Sequence, residues 1–101
     1  MVLDSGKIEY LNEYFSNKPV LKAYIFGSVA KGQEKINSDV DILVDLDYSE
    51  RIGLRFVQMK LDLEKILDRN VDLVSSRGLS PYLKPFIEKD KQLIYARKNG
   101  G

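Results

Sequence analysis

The chain has 101 residues, 44% hydrophobic and 31% charged, which is enough for one compact domain and too few for two. Lys+Arg (16) and Asp+Glu (15) nearly cancel to a net charge of +1, excluding a strong global attraction to nucleic acid or to an anionic membrane. Cysteine and histidine are both absent, so disulfides, thiolate metal sites and imidazole bases are excluded, and any bound metal must be a hard cation held by carboxylates: Mg²⁺, Mn²⁺ or Ca²⁺.

In chain order, Ile8, Leu11 and Phe15 fall at i, i+3 and i+7 with Glu9, Asn12 and Glu13 between them, which predicts an amphipathic helix over residues 7–15. Asn17-Lys18-Pro19 ends it, since proline disfavours helix in the residue before it. Residues 20–26 are rich in β-formers and predict a buried strand, broken at Gly27-Ser28. A short helical turn over 29–32 and a polar loop over 33–38 follow. Residues 39–47 alternate as a strand, with Val40, Ile42, Val44 and Leu46 on one face and Asp39, Asp41, Leu43, Asp45 and Asp47 on the other. Phe56, Met59, Leu63, Ile66 and Leu67 set a helix over about 54–68, stopped near Asn70. Residues 71–74 form a short strand, and Ser80-Pro81 is expected to open a last helix with proline at its first position, running to about residue 89. Residues 93–96 suggest an edge strand, and 97–101 are expected to fray. There is no repeat, linker or low-complexity tract, so residues 1–101 read as a single domain of the α/β (α+β) class. No apolar run approaches the roughly 20 residues of a membrane helix, and the first residues do not resemble a signal peptide, so a cytoplasmic protein is expected.

One stretch carries the chemistry. Gly27-Ser28 is separated by ten residues from Asp39-Val40-Asp41. Residues i and i+2 of a strand share a face, so Asp39 and Asp41 can reach one metal cluster. Mg²⁺ takes one or two carboxylates and completes its shell with water and phosphate oxygens. Asp72, on the next strand, supplies a third carboxylate that could bridge to a second ion, and two ions roughly 4 Å apart clamp an in-line displacement. The Gly27-Ser28 turn, between a strand end and a helical turn, offers backbone N–H groups to a polyphosphate, with the Ser28 hydroxyl, Lys31 and Ser38 nearby in sequence. Asp45 and Asp47 read as the ordinary solvated face of the strand, and Tyr82 and Phe86 as ordinary core. Gly27 and Gly32 have the spacing of a P-loop, but Gln33-Glu34 follow where lysine and a hydroxyl residue are required, so the chain is not a P-loop NTPase.

At these residues the sequence resembles the DNA polymerase β-like nucleotidyltransferases, whose signature is Gly-Ser, a spacer, Asp-x-Asp on a strand and a third carboxylate on a later strand. Within them it looks like the minimal nucleotidyltransferases paired with HEPN-domain proteins in toxin–antitoxin modules. The likeness spans Phe26-Gly27-Ser28-Val29-Ala30-Lys31-Gly32, Ser38-Asp39-Val40-Asp41-Ile42-Leu43-Val44, Val71-Asp72-Leu73-Val74, and the ending from Leu83-Lys84-Pro85-Phe86-Ile87 to Leu93-Ile94-Tyr95-Ala96-Arg97. Lys31 stands where many relatives have arginine, keeping the charge but losing the bidentate fork.

The resemblance implies a small mixed β-sheet with helices packed on one side. It further implies an enzyme that takes AMP from ATP, with two Mg²⁺ ions (or Mn²⁺), onto a tyrosine of a HEPN ribonuclease toxin. In that reading Asp39 and Asp41 hold the metals, Asp72 holds the second metal or helps take the acceptor proton, and Gly27 and Ser28 bind the triphosphate. The core fold leaves little chain for an acceptor site of its own, which suits a partner protein that brings the acceptor. Two other readings stay open: an antitoxin that neutralises by binding alone, through an apolar face such as Tyr82 and Phe86, and an enzyme acting on a small molecule or an RNA end.

Overall fold

In the computed structural model, which describes residues 4–30, 32 and 39–98, the first helix, α1 (Ser5–Ser16), begins where the Asp4 carboxylate accepts a hydrogen bond from the Lys7 N–H at 2.8 Å. That cap satisfies one of the donors every helix start leaves unpaired. Strand β1 (Val20–Phe26) leads into a single helical turn, α2 (Gly27–Ala30). The chain continues through β2 (Val40–Leu46), α3 (Arg55–Leu67), β3 (Val71–Ser75), a 3-10 turn (Ser76–Gly78), α4 (Lys84–Asp90) and β4 (Gln92–Ala96). The alternation expected from hydrophobic periodicity is therefore present, with helix and strand types as read.

The four strands form one mixed sheet in the order β3-β2-β1-β4. Strand β1 runs antiparallel to both β2 and β4, whereas β2 and β3 are parallel. A parallel pair needs a crossover, and α3 supplies it. Helices α1 and α3 put Leu11, Phe15, Met59, Leu63 and Leu67 onto one face of the sheet, against Val20, Ala23, Ile25, Val40, Ile42, Val44, Val71 and Ile94. Phe15 meets Tyr95 of β4 with ring centroids 5.7 Å apart. The Tyr14 hydroxyl donates to Asp62 at 2.6 Å, tying α1 to α3.

Helix α3 ends at Leu67, within a residue of the expected 68, where Asp68 adopts a left-handed conformation (φ 53°) and its N–H returns to the Glu64 carbonyl. Two details depart from the sequence reading. The last helix opens at Lys84 with Pro85 in its first turn, and residues 81–83 form a turn instead. A helix begun at Pro81 would place Pro85 where an N–H to the residue 81 carbonyl is required, which proline lacks. Arg97, expected to fray, is anchored: its N–H bonds to the Leu21 carbonyl, and its guanidinium donates to Asp47 at 2.7 Å and to the Lys18 carbonyl at 3.0 Å. Asp47 is thus a structural partner for the end of β4, beyond the solvated role its alternation suggests.

Hydrogen bonds from Ser49 and Arg97 hold the Asp47 carboxyl below its usual range. A carboxylate with a depressed folded value stabilises the fold above its unfolded value of 3.8, and that contribution is lost as pH falls through the folded value. Acid melts are therefore expected to lose an increment of stability below about pH 4, the ordinary carboxylate range, and Asp47→Asn should flatten that part of the profile. Phe15→Ala, which empties a fully buried ring site, is expected to lower the free energy of unfolding by about 3–5 kcal/mol in urea titrations.

Candidate active site

The carboxylates gather where β1, β2 and β3 meet. The parallel register sets Asp41 directly opposite Asp72, and the antiparallel register sets Phe26, the last residue of β1, opposite Asp41. Both aspartates lie on the face of the sheet turned away from α1 and α3, because their neighbours Val40, Ile42, Val71 and Leu73 point into the core. Asp39, two residues before Asp41, is exposed just ahead of β2 and adds its charge to the same place.

Gly27 begins α2 immediately after Phe26, with φ 73°. A Cβ built there would collide with the Asp41 carboxylate, whose Cγ it would approach to 3.1 Å. Glycine is needed at this position for two reasons, the left-handed backbone and the close approach of Asp41. Sequence reasoning assigned Gly27 only to the approach of a phosphate; its contact with Asp41 comes from the fold.

Partial burial raises the Asp41 pKa above its ordinary value, and the charges of Asp72 and then Asp39 raise it further. Like charges held together in a half-desolvated place favour a proton or a cation. Among the described residues the three carboxylates do not close into a ready-made cage of three ligands. That arrangement suits Mg²⁺, which is content with one or two carboxylates and takes its remaining ligands from water and phosphate. The donor set therefore fits a hard divalent cation bound together with a polyphosphate.

Of the sequence-predicted residues, the structure brings Gly27, Asp39, Asp41 and Asp72 together, with Ser28 as the second residue of α2. Lys31 and Ser38 lie outside the described residues. One preferred reading is corrected, in favour of the exposed apolar face left open beside it, and one feature went unread in the sequence. Tyr82 and Phe86, expected in the core, are 86% and 71% exposed, because the helix that would have buried them starts later and packs little against the sheet. Gln92, at the start of β4, reaches across 62 residues to donate from Nε2 to the Ala30 carbonyl at 2.9 Å, at the end of α2. No spacing rule marks a lone glutamine for such a contact.

Asp41 titrates with the opposite sign to Asp47. Its folded value is raised, so the fold binds this proton more tightly than the unfolded chain does, and stability at this site is lost as pH rises above about 4. Asp41→Asn is accordingly expected to stabilise the cation-free protein at pH 7 by about 0.5–1 kcal/mol, a small gain because the group is partly solvated. Mg²⁺ or Mn²⁺ is expected to raise the Tm of the unaltered chain, and the same variant should abolish that rise. Gly27→Ala, which strains the backbone and displaces Asp41, is expected to lower stability by about 1–3 kcal/mol and weaken Mn²⁺ binding at least tenfold in calorimetric titrations.

The polymerase beta nucleotidyltransferase family profile matches residues 9–100. A Methanocaldococcus jannaschii protein, provisionally named a protein adenylyltransferase, is 38% identical over 65 residues, covering 64% of this chain and 69% of the relative. A solved structure provisionally described as a minimal nucleotidyltransferase superposes with TM-score 0.75 at 31% identity, over 86% of this chain and 88% of that one. A toxin–antitoxin crystal structure with AMP-PNP contains a chain that superposes with TM-score 0.73 at 26% identity, over 95% of this chain and 76% of that one. This chain belongs to the polymerase beta nucleotidyltransferase family.

Proposed function

We propose that this chain is a protein adenylyltransferase that moves AMP from Mg·ATP onto a tyrosine hydroxyl of a partner HEPN-domain ribonuclease toxin in the cytoplasm, and so acts as its antitoxin. The observation that carries the reading is the placing of Asp41 opposite Asp72, with Gly27 against the Asp41 carboxylate. The name of the Methanocaldococcus jannaschii relative and the AMP-PNP of the toxin–antitoxin neighbour support it.

In this reading Asp39, Asp41 and Asp72 hold two Mg²⁺ ions (or Mn²⁺), which when bound supply charge neutralisation to the triphosphate and to the departing pyrophosphate. The backbone N–H groups of Gly27 and Ser28 would orient the triphosphate, with Lys31 and Ser38 as further nucleotide-binding candidates from the sequence. The acceptor oxygen forms a bond to the α-phosphorus as the bond from that phosphorus to the α,β-bridging oxygen breaks, and pyrophosphate leaves. Asp72, exposed at the edge strand, takes the hydroxyl proton or steadies it as it departs. Modification of the toxin's tyrosine would block its RNA site.

A second reading, an antitoxin that neutralises by binding alone, draws on the exposed Tyr82 and Phe86. Large exposed aromatics near one another are the usual anchors of a protein interface. Incubating the toxin with this chain, Mg²⁺ and ATP is expected to raise the toxin's intact mass by roughly 329 Da per transfer, the AMP left when pyrophosphate departs. Asp39→Asn/Asp41→Asn should abolish that gain. Full neutralisation by the same variant would instead favour binding alone. Tyr82→Ala/Phe86→Ala is expected to weaken the complex about 10- to 100-fold, as loss of two aromatic anchors does.

A further inference from the structure

We propose that Gln92 is a positioning residue that pins the nucleotide-binding turn in place, and through it sets the affinity for Mg·ATP; the inference rests on the nucleotide site proposed above. Helix α2 has four residues, too few for its own hydrogen-bonding pattern to hold it. The carbonyls at the end of any helix lack intrahelical partners, and in so short a helix the orientation is decided by what lies outside it.

Beside its apolar packing on the core and α4, α2 is held at each end by one specific contact. At its start, Phe26 closes the β1–β2 ladder opposite Asp41, and Gly27 sits hard against the Asp41 carboxylate. At its end, the Ala30 carbonyl accepts from the Gln92 side chain at 2.9 Å. Gln92 is itself held, because β4 pairs it with Ile25 of β1, just before the turn. The turn is thus clamped between the sheet strand that precedes it and the antiparallel edge strand beside that one. Lys91, the residue before Gln92, stacks its ammonium over the Tyr24 ring at 4.2 Å, which fixes the start of β4 a second time. Ala30 also packs against the core and α2 touches α4, so loss of the Gln92 donor loosens the Ala30 end of α2 without releasing it, and with it the aim of the Gly27 and Ser28 N–H groups. The carboxylates stand on β2 and β3 and do not depend on that bond.

The chemistry predicts a separation between two affinities. Gln92→Met keeps length and removes the donor; Gln92→Glu keeps shape and places an acceptor against a carbonyl. Calorimetric titration is expected to show Mg·ATP binding weakened about 3- to 10-fold in Gln92→Met, the scale of one lost hydrogen bond, and more in Gln92→Glu. Mn²⁺ alone, in the absence of nucleotide, should bind both variants as it binds the unaltered chain, with Tm lowered by no more than the roughly 4–8 °C that about 1 kcal/mol moves a domain of this size. Unaltered Mg·ATP affinity in Gln92→Met would overturn the positioning role and leave the nucleotide site standing. A loss shared by Mn²⁺ and Mg·ATP, with Tm lowered beyond that range, would also overturn it, since that pattern is general destabilisation. Failure of the unaltered chain itself to bind Mg·ATP would remove the site on which the inference rests.

Discussion

The parallel pairing of β2 with β3 is the constraint on which the rest of the structure depends. Its register sets Val40 beside Val71 and Ile42 beside Leu73 on the core face, and Asp41 beside Asp72 on the other. A slip of β3 by one residue would turn Asp72 into the core and Val71 and Leu73 out of it. Burial of an unpaired carboxylate is prohibitive, so the hydrophobic pattern that folds the domain also fixes the carboxylate pair. Core and candidate site are two faces of one ladder.

Around that ladder the fold holds two kinds of acidic group that behave in opposite senses. Asp47 is satisfied, bonded by Ser49 and Arg97, and its ionised form is favoured by folding. Asp41 has no hydrogen-bond partner among the described residues; burial and its acidic neighbours disfavour its ionised form. The first arrangement holds the end of β4 to the β1–β2 hairpin. The second stores an electrostatic cost that a bound cation would relieve. Asp41 lies within β2 and Asp47 directly follows it, and neither role can be assigned from the alternation of the sequence alone.

The helices divide the labour as well. Helices α1 and α3 bury Leu11, Phe15, Met59, Leu63 and Leu67 and close the core. Helix α4 buries no residue fully, and the turn before it leaves Tyr82 bare. A segment that contributes so little to the core and carries such large apolar surface has a fold that tolerates it without depending on it. The same segment touches α2, so a partner seated on it would lie beside the carboxylates.

The sequence by itself determined the order and type of the elements, because periodicity of 3.6 in residues 5–16 and 55–67 and of 2 in 40–46 follows from local geometry that needs no partner. It also limited the site's chemistry: with no histidine or cysteine, any bound metal was restricted to a hard cation held by carboxylates, and Asp39 and Asp41 behind Gly27-Ser28 were the candidates. Only the tertiary structure decided that Asp72 stands opposite Asp41, that Gly27 is held to glycine by the Asp41 carboxylate, that Gln92 clasps Ala30 and that Arg97 clasps Asp47. Each of these joins residues brought together by strand pairing across the sheet. Local propensity carries no information about such pairings, since the free energy that selects them comes from burying the whole sheet face at once.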